Sequence, residues 1–103
     1  MKPHPSTRLD NTVHQRVRLG ILTVLAEVPR AEFTYLRDAL SLTDGNLASN
    51  LRLLGEAGLV ETDKVPERGR ARTWVRATPA GRAALAAEAR ALRELLAGLE
   101  LDD

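Results

Sequence analysis

In two short stretches of this 103-residue chain the side chains are chosen and placed in a way that suits binding rather than catalysis. From Thr43 to Arg52 the polar or small positions are Thr43, Asp44, Gly45, Asn46, Ala48, Ser49, Asn50 and Arg52. These are mostly short groups that donate or accept hydrogen bonds. Such a face can enter a nucleic-acid major groove, which a bulky or strongly charged one could not. From Lys64 to Arg76 five basic residues stand against Glu67 alone. Arg68, Arg70 and Arg72 alternate, so in extended chain they share one side. Like charges on one side repel unless something neutralises them, and a phosphate backbone would do so. Alone, each stretch could be the solvated side of an ordinary element; in direct succession they favour contact with DNA. Catalysis has no comparable case. There is no Ser/His/Asp or Glu/His cluster and no glycine-rich phosphate loop, and His4 and His14 stand outside both stretches. With no cysteine, disulfides, thiol redox sensing and thiolate metal sites are excluded, and neither a metal nor a cofactor is expected.

The elements that must position these residues are legible in outline. Thr43 is a good N-cap, Asp44 suits the positive end of a helix, and Gly58 stops it, so a recognition helix is expected over residues 43–57. Leu42 and Leu47 are spaced as a hydrophobic staple. Leu47, Leu51 and Leu54 give the buried face, widened by Leu53. The pattern then turns to alternation. Leu59–Val65 reads as a strand, Pro66–Gly69 as turn chemistry and Thr73–Arg76 as the return strand, making a basic hairpin, or wing, over residues 59–76.

Upstream, Met1–Arg8 is expected to be a loose arm. Leu9, Val13, Val17, Ile21, Val24, Leu25 and Val28 step at helical spacing and predict a helix over about Asp10–Glu27, capped by Asp10 and ended by Pro29. Gly20 within it would let another backbone approach. Glu32–Phe33 is a short extended link, and Thr34 is expected to cap a helix over Tyr35–Leu40 that buries Leu36, Ala39 and Leu40. With Ser41–Thr43 as the turn, this makes a helix-turn-helix.

Downstream, Thr78-Pro79 opens a final helix over residues 79–99. Leu85, Leu92 and Leu99 are seven apart, with Ala89, Leu95 and Leu96 beside them, a coiled-coil-like seam too short to stand alone. It either covers the chain's own first helix or, the reading preferred here, forms a homodimer interface from Leu9, Val13, Val17, Leu85, Ala89, Leu92, Leu96 and Leu99. The acidic end, four acids and no base from Glu94 to Asp103, would lie away from DNA. Only three aromatics are present, so the core rests on Leu, Val, Ile and Ala. No apolar run approaches the ~20 residues that span a bilayer, and Met1–Leu9 lacks a signal peptide's apolar region, so a soluble cytoplasmic protein without membrane contact is expected. The fold class is mainly α with a small β-hairpin. It is a winged helix-turn-helix with an added C-terminal dimerisation helix, one domain over residues 1–103.

LTDGNLASNLRLLGEAGLV and the later GRARTWVRATPAGRAAL together resemble bacterial or archaeal winged-helix transcriptional regulators of the MarR/ArsR type, from about Leu9 to Leu99. The leader LDNTVHQRVRLGIL is similar to their first helix. Glu56–Val60 matches the family's E-A-G-L-V ending, and Thr78–Arg82 its T-P-x-G-R helix start. The resemblance implies a dimeric DNA-binding repressor or activator, often with a small-molecule or other signal shifting its affinity. A pocket between the C-terminal and first helices could hold an apolar effector of unknown identity. Relatives often carry a basic residue or histidine where Ser49 and Asn50 stand, so base contacts do not transfer directly.

The expectation is therefore a sequence-specific regulator that binds double-stranded DNA as a homodimer. Thr34, Tyr35, Thr43, Asp44, Gly45, Asn46, Ser49, Asn50, Arg52, Lys64, Arg68, Arg70 and Arg72 are its candidate contacts. The alternative is a protein-interaction module whose charged face docks an acidic partner.

Overall fold

The computed structural model describes residues 2–99. A 3-10 turn at Pro5–Arg8 is followed by α1 (Arg16–Ala26), β1 (Ala31–Glu32), α2 (Phe33–Ala39), α3 (Asp44–Glu56), β2 (Val60–Glu67), β3 (Arg70–Ala77) and α4 (Pro79–Ala97). The three strands form one antiparallel sheet in the order β1-β3-β2. Ile21, Leu22, Leu25, Leu36, Leu47, Leu54 and Val75 are sealed in the core between α1, α2, α3 and the base of the sheet. The acidic residues Glu100–Asp103, expected to point away from DNA, lie outside the described residues.

The helix expected from Asp10 onward is interrupted. The Asp10 carboxylate accepts from the amides of Thr12 (2.7 Å) and Val13 (3.2 Å), closing a separate turn. Gln15 is extended at φ −150°, and its side chain accepts from the Arg18 amide to open α1 at Arg16. Side chains that bond to nearby backbone compete with a helix in this way. Apolar spacing did not reveal the break because Val13 is still buried. Part of the expected loose arm is folded as well. His4 Nδ1 accepts from the Ser6 amide, Pro5 fills the first turn, and Arg8 pairs with Glu94 of α4.

α2 begins at Phe33, so Thr34 is not its cap. Glu32 holds that position with no side-chain cap bond, since it is already fixed as a strand residue opposite Trp74. Leu36 is buried and Leu40 half-buried, but Ala39 is exposed. Gly20 makes room for the Leu40 side chain rather than for a backbone: a Cβ there would sit 3.1 Å from Leu40 Cδ2.

α3 starts and stops as its residues dictate. The Thr43 hydroxyl accepts from the Asn46 amide at 3.1 Å. At the other end Gly58 takes φ +77°, its amide bonds Gly55 O, and the Leu59 amide bonds Leu54 O at 2.9 Å. That pair of bonds is a Schellman ending. Leu47, Leu51 and Leu54 face the core, but Leu53 is 46% exposed and does not widen that face.

The hairpin runs in register from Val60 opposite Ala77 to Glu67 opposite Arg70, so its loop is Arg68-Gly69 alone. Both have positive φ, 50° and 83°, as a two-residue turn matched to strand twist requires. Pro66 and Glu67 are thus strand residues rather than turn residues, and beyond Val60 every residue of β2 is exposed. The hairpin projects from the body.

α4 is stitched to the end of α3. The Thr78 hydroxyl accepts from the Gly81 amide (2.9 Å) and donates to Gly58 O (2.6 Å), while the Thr78 amide donates to Leu59 O (3.0 Å). Arg82 reaches across to the carbonyls of Ala26 and Val28, capping the end of α1. Gly81 lies directly against Leu59: a Cβ would fall 2.1 Å from the Leu59 carbonyl oxygen. Backbone must move to admit a methyl group there. Gly81→Ala is expected to cost about 1–3 kcal/mol in urea unfolding. Gly45→Ala, where nothing lies within 4 Å, should leave stability unchanged or slightly raised.

Candidate nucleic-acid interface

Thr43 at its cap fixes the rotation of α3, and the three buried leucines fix which side looks out. Thr43, Asp44, Gly45, Asn46, Ala48, Ser49 and Arg52 are all exposed, as the spacing predicts. Asn50 is the exception. It is 9% exposed, and its side chain is spent inside the domain: Oδ1 accepts from Arg18 Nη1 at 3.0 Å, and Nδ2 donates to Asn46 O and Asn46 Oδ1. Its expected contact with DNA is therefore corrected to an internal role. Asp44 is exposed, but Arg37 Nη1 holds its carboxylate at 3.0 Å. Asp38, then Asp44, push the Arg37 guanidinium further above its ordinary range, so it remains charged.

The wing's charges divide into two sets. Arg72 meets Glu32 at 3.0 Å and Glu67 at 3.3 Å, and Arg76 meets Glu61 and Asp63 at 2.7 and 2.9 Å. Arg72 is thus neutralised from within the chain and does not need a phosphate to relieve repulsion. Arg68 is also not on a common strand side with Arg70 and Arg72, because it forms the turn. Among the described residues Arg52, Lys64, Arg68 and Arg70 have no carboxylate within ion-pairing distance.

A groove of about 590 Å³ separates α3 from the hairpin. Ala48, Arg52 and Glu56 line one wall, Thr62, Lys64 and Thr73 the other, with Phe33 and Leu51 at its floor. A second recess shares Phe33 and Thr73 and continues past Thr34 to Arg70 and Arg72. Ala48 and Arg52 of α3, Lys64 and Arg70 of the wing and Thr34 of α2 therefore border adjoining recesses, whereas Asn46, Ser49 and Arg68 line neither. Tyr35, 59% exposed, faces a different recess beside Trp74, whose ring lies 3.9 Å from the Arg30 guanidinium.

The residues expected to dimerise also divide. Val13 (0%) and Val17 (4%) are core residues of this chain and are unavailable to a partner. Leu9, Leu85, Ala89 and Leu92 are half-buried, while Leu96 and Leu99 are 50% and 61% exposed. On α4 sits Glu88, 1% exposed, whose two oxygens meet His14 Nδ1 (2.6 Å) and the Asp10 amide (3.1 Å) in the turn before α1. Sequence reading missed this cluster, and it missed Arg18. Only the Asn46/Asn50 spacing of four, which places two amides on adjacent helical turns, was a visible signal.

Comparison with known proteins agrees with this geometry. A family model described as a winged helix DNA-binding domain matches residues 17–96. An uncharacterized protein of Methanocaldococcus jannaschii is 46% identical over 68 residues, 66% of this chain and 74% of that protein. The structure of a transcriptional regulator homologue from Pyrococcus horikoshii OT3 superposes with a TM-score of 0.84 at 36% identity, covering 89% of this chain and 91% of the other. A MarR family regulator from Neisseria meningitidis shares the fold at TM-score 0.60 and 18% identity, over 91% of this chain and 62% of that longer one.

The inward turn of Asn50 has a measurable consequence. Asn50→Ala leaves the half-buried Arg18 guanidinium short of an acceptor and should lower stability to chemical denaturation by about 1–3 kcal/mol. Ser49→Ala, one residue earlier on the exposed side, should stay within about 0.5 kcal/mol of the parent.

Proposed function

Because the chain belongs to the winged-helix DNA-binding family, we propose that it acts as a homodimeric, sequence-specific, MarR-like transcriptional regulator. That family is one of DNA-binding domains and not of enzymes. In this reading α3 enters the major groove and the wing lies on the minor groove and backbone. The observation that carries it is the shared surface: Ala48 and Arg52 of α3 and Lys64 of the hairpin line one groove, and Arg70 lines the recess adjoining it. Asn46, Ser49 and Arg52 meet base edges or adjacent phosphates, and Gly45 and Ala48 allow close approach. The free amides at the start of α3, near Thr43 and Gly45, face a phosphate. Thr34 adds a backbone contact, as do Lys64, Arg68 and Arg70, while Tyr35, expected to join them, faces the recess beside Trp74 instead. Arg72 and Asp44 serve by holding the wing and the helix start in place through their ion pairs.

The homodimer is proposed on the leucine side of α4. Leu96 and Leu99 leave an exposed apolar stripe continuous with half-buried Leu85, Ala89 and Leu92. Replacing Leu96 with Glu should shift the protein from dimer to monomer in sedimentation. A two-fold dimer would bind a pseudo-palindrome with half-sites about 10 bp apart or a multiple of that.

DNA shift titrations at several salt concentrations test the surface itself. Arg70→Ala should weaken binding to every duplex and reduce the salt slope by about one. Asn46→Ala should instead alter which duplex is preferred. If both variants bound as the parent does at each salt concentration, the assigned surface would be wrong.

A further inference from the structure

We infer that Arg18, from inside the domain, fixes the orientation of the Asn46 amide so that α3 turns its nitrogen, a hydrogen-bond donor, toward DNA. The inference rests on the reading of α3 as the base-contacting helix. It begins with the one group in the network whose role has no alternative. A guanidinium only donates. Arg18 is held in place by the carbonyls of Thr12 (Nε, 2.6 Å) and Asn11 (Nη2, 3.5 Å), which lie in the turn before α1. Its Nη1 points at the Asn50 side chain at 3.0 Å. The Asn50 atom that meets it must therefore be the carbonyl oxygen.

The rest follows by exclusion. With Oδ1 turned to Arg18, the Asn50 amino group faces the previous turn of α3. Its two protons go to Asn46 O at 2.9 Å and to the Asn46 side chain at 2.8 Å. The Asn46 atom receiving the second proton must also be a carbonyl oxygen, because an amino group there would set donor against donor. The group left pointing away from α3 is Asn46 Nδ2 with both of its protons, on an exposed residue. Reversing Asn46 would require reversing Asn50, and Asn50 cannot reverse while Arg18 faces it.

An unconstrained asparagine can pair with adenine through both its oxygen and its nitrogen. Here the oxygen is turned to Asn50, which occupies one of its two lone pairs, while both protons of the nitrogen stay free. The outward donor suits guanine, which shows two acceptors in the major groove, and is mismatched with cytosine, which shows an amino donor. Arg18 and Asn50 are thus positioning residues for specificity, although neither would touch DNA.

Selection from randomised duplexes, followed by affinities for all four base pairs at the position that Asn46→Ala flattens, tests this. The parent protein should prefer guanine over cytosine there by about tenfold. Arg18→Met frees the Asn50 amide and should bring the four base pairs within about twofold at that position, with the remaining positions ranked as before. Asn46→Asp can only accept on its outward side and should move cytosine or adenine above guanine, whatever its overall affinity. This surface change decides the matter even if Arg18→Met fails to fold in a melting experiment. An Arg18→Met protein that keeps the parent ranking, or an Asn46→Asp protein that keeps guanine first, overturns the inference while leaving the DNA-binding reading intact. A parent protein with no ranking at any position overturns that reading and this inference with it.

Discussion

The carbonyl of Leu59 is the point on which the arrangement depends. It ends the chain's exit from α3, accepts the Thr78 amide at 3.0 Å, and lies so close to Gly81 that no side chain fits between them. A single threonine, Thr78, closes the junction: its hydroxyl binds Gly58 O on one side and starts α4 on the other. The end of the polar helix, the base of the hairpin and the start of the long helix are thereby fixed within a few residues. Because Val60 pairs with Ala77 immediately beyond this junction, the hairpin has one direction in which to project. The DNA-facing surface proposed for α3 and the wing would need that rigidity, since both would have to meet a duplex at a set separation.

Charge is apportioned by whether it must hold shape or remain available. Cross-strand pairs from Arg76 to Glu61 and Asp63 stiffen the root of the hairpin, and Arg72 ties its middle to Glu32 of β1. Exposed pairs of this kind contribute little each. Their larger effect is to cancel cations that would otherwise repel Arg70 and Lys64. A net charge of +1 conceals this division completely. What distinguishes the wing is where the uncancelled cations lie, at its tip and along the groove facing α3, rather than their number.

The features legible in the sequence were those decided locally. Thr43, Gly58 and Thr78 cap or stop helices through bonds within a few residues, and the spacing of Leu47, Leu51 and Leu54 fixes the outward side of α3. Where distant partners decide, the sequence misled. Glu32 opens α2 because Trp74 pairs with it from beyond the hairpin. Gln15 breaks the first helix although the apolar spacing runs straight through, since Val13 reaches the core from either conformation. Asn50 looked like another outward amide because nothing near it announces Arg18, 32 residues earlier. Leu53 looked like core and is not, because the hairpin leaves that side of the helix uncovered. The error pattern is physical: caps and turns act over one turn of chain, whereas buried polar networks are made by tertiary contact.

In the proposed homodimer, the two sides of α4 would serve its own domain and a second copy. Toward its own body it presents Gly81, Glu88 and Ala91, small or polar residues that let α1 and the N-terminal turn approach closely. Glu88 there is matched by His14 and the Asp10 amide, so the contact is specified by polar pairing as well as by apolar burial. About 40–60° around the helix from Glu88 lie Leu85 and Leu92, two of the leucines repeating every seven residues. Leu85 packs against the margin of the core, and the stripe becomes more exposed toward Leu96 and Leu99. Placing small residues inside and large ones at the margin leaves Leu96 and Leu99 half or more exposed. Apolar area of that kind gains by being covered, and in the proposed homodimer a second α4 related by a two-fold axis would cover it with the same seven-residue repeat.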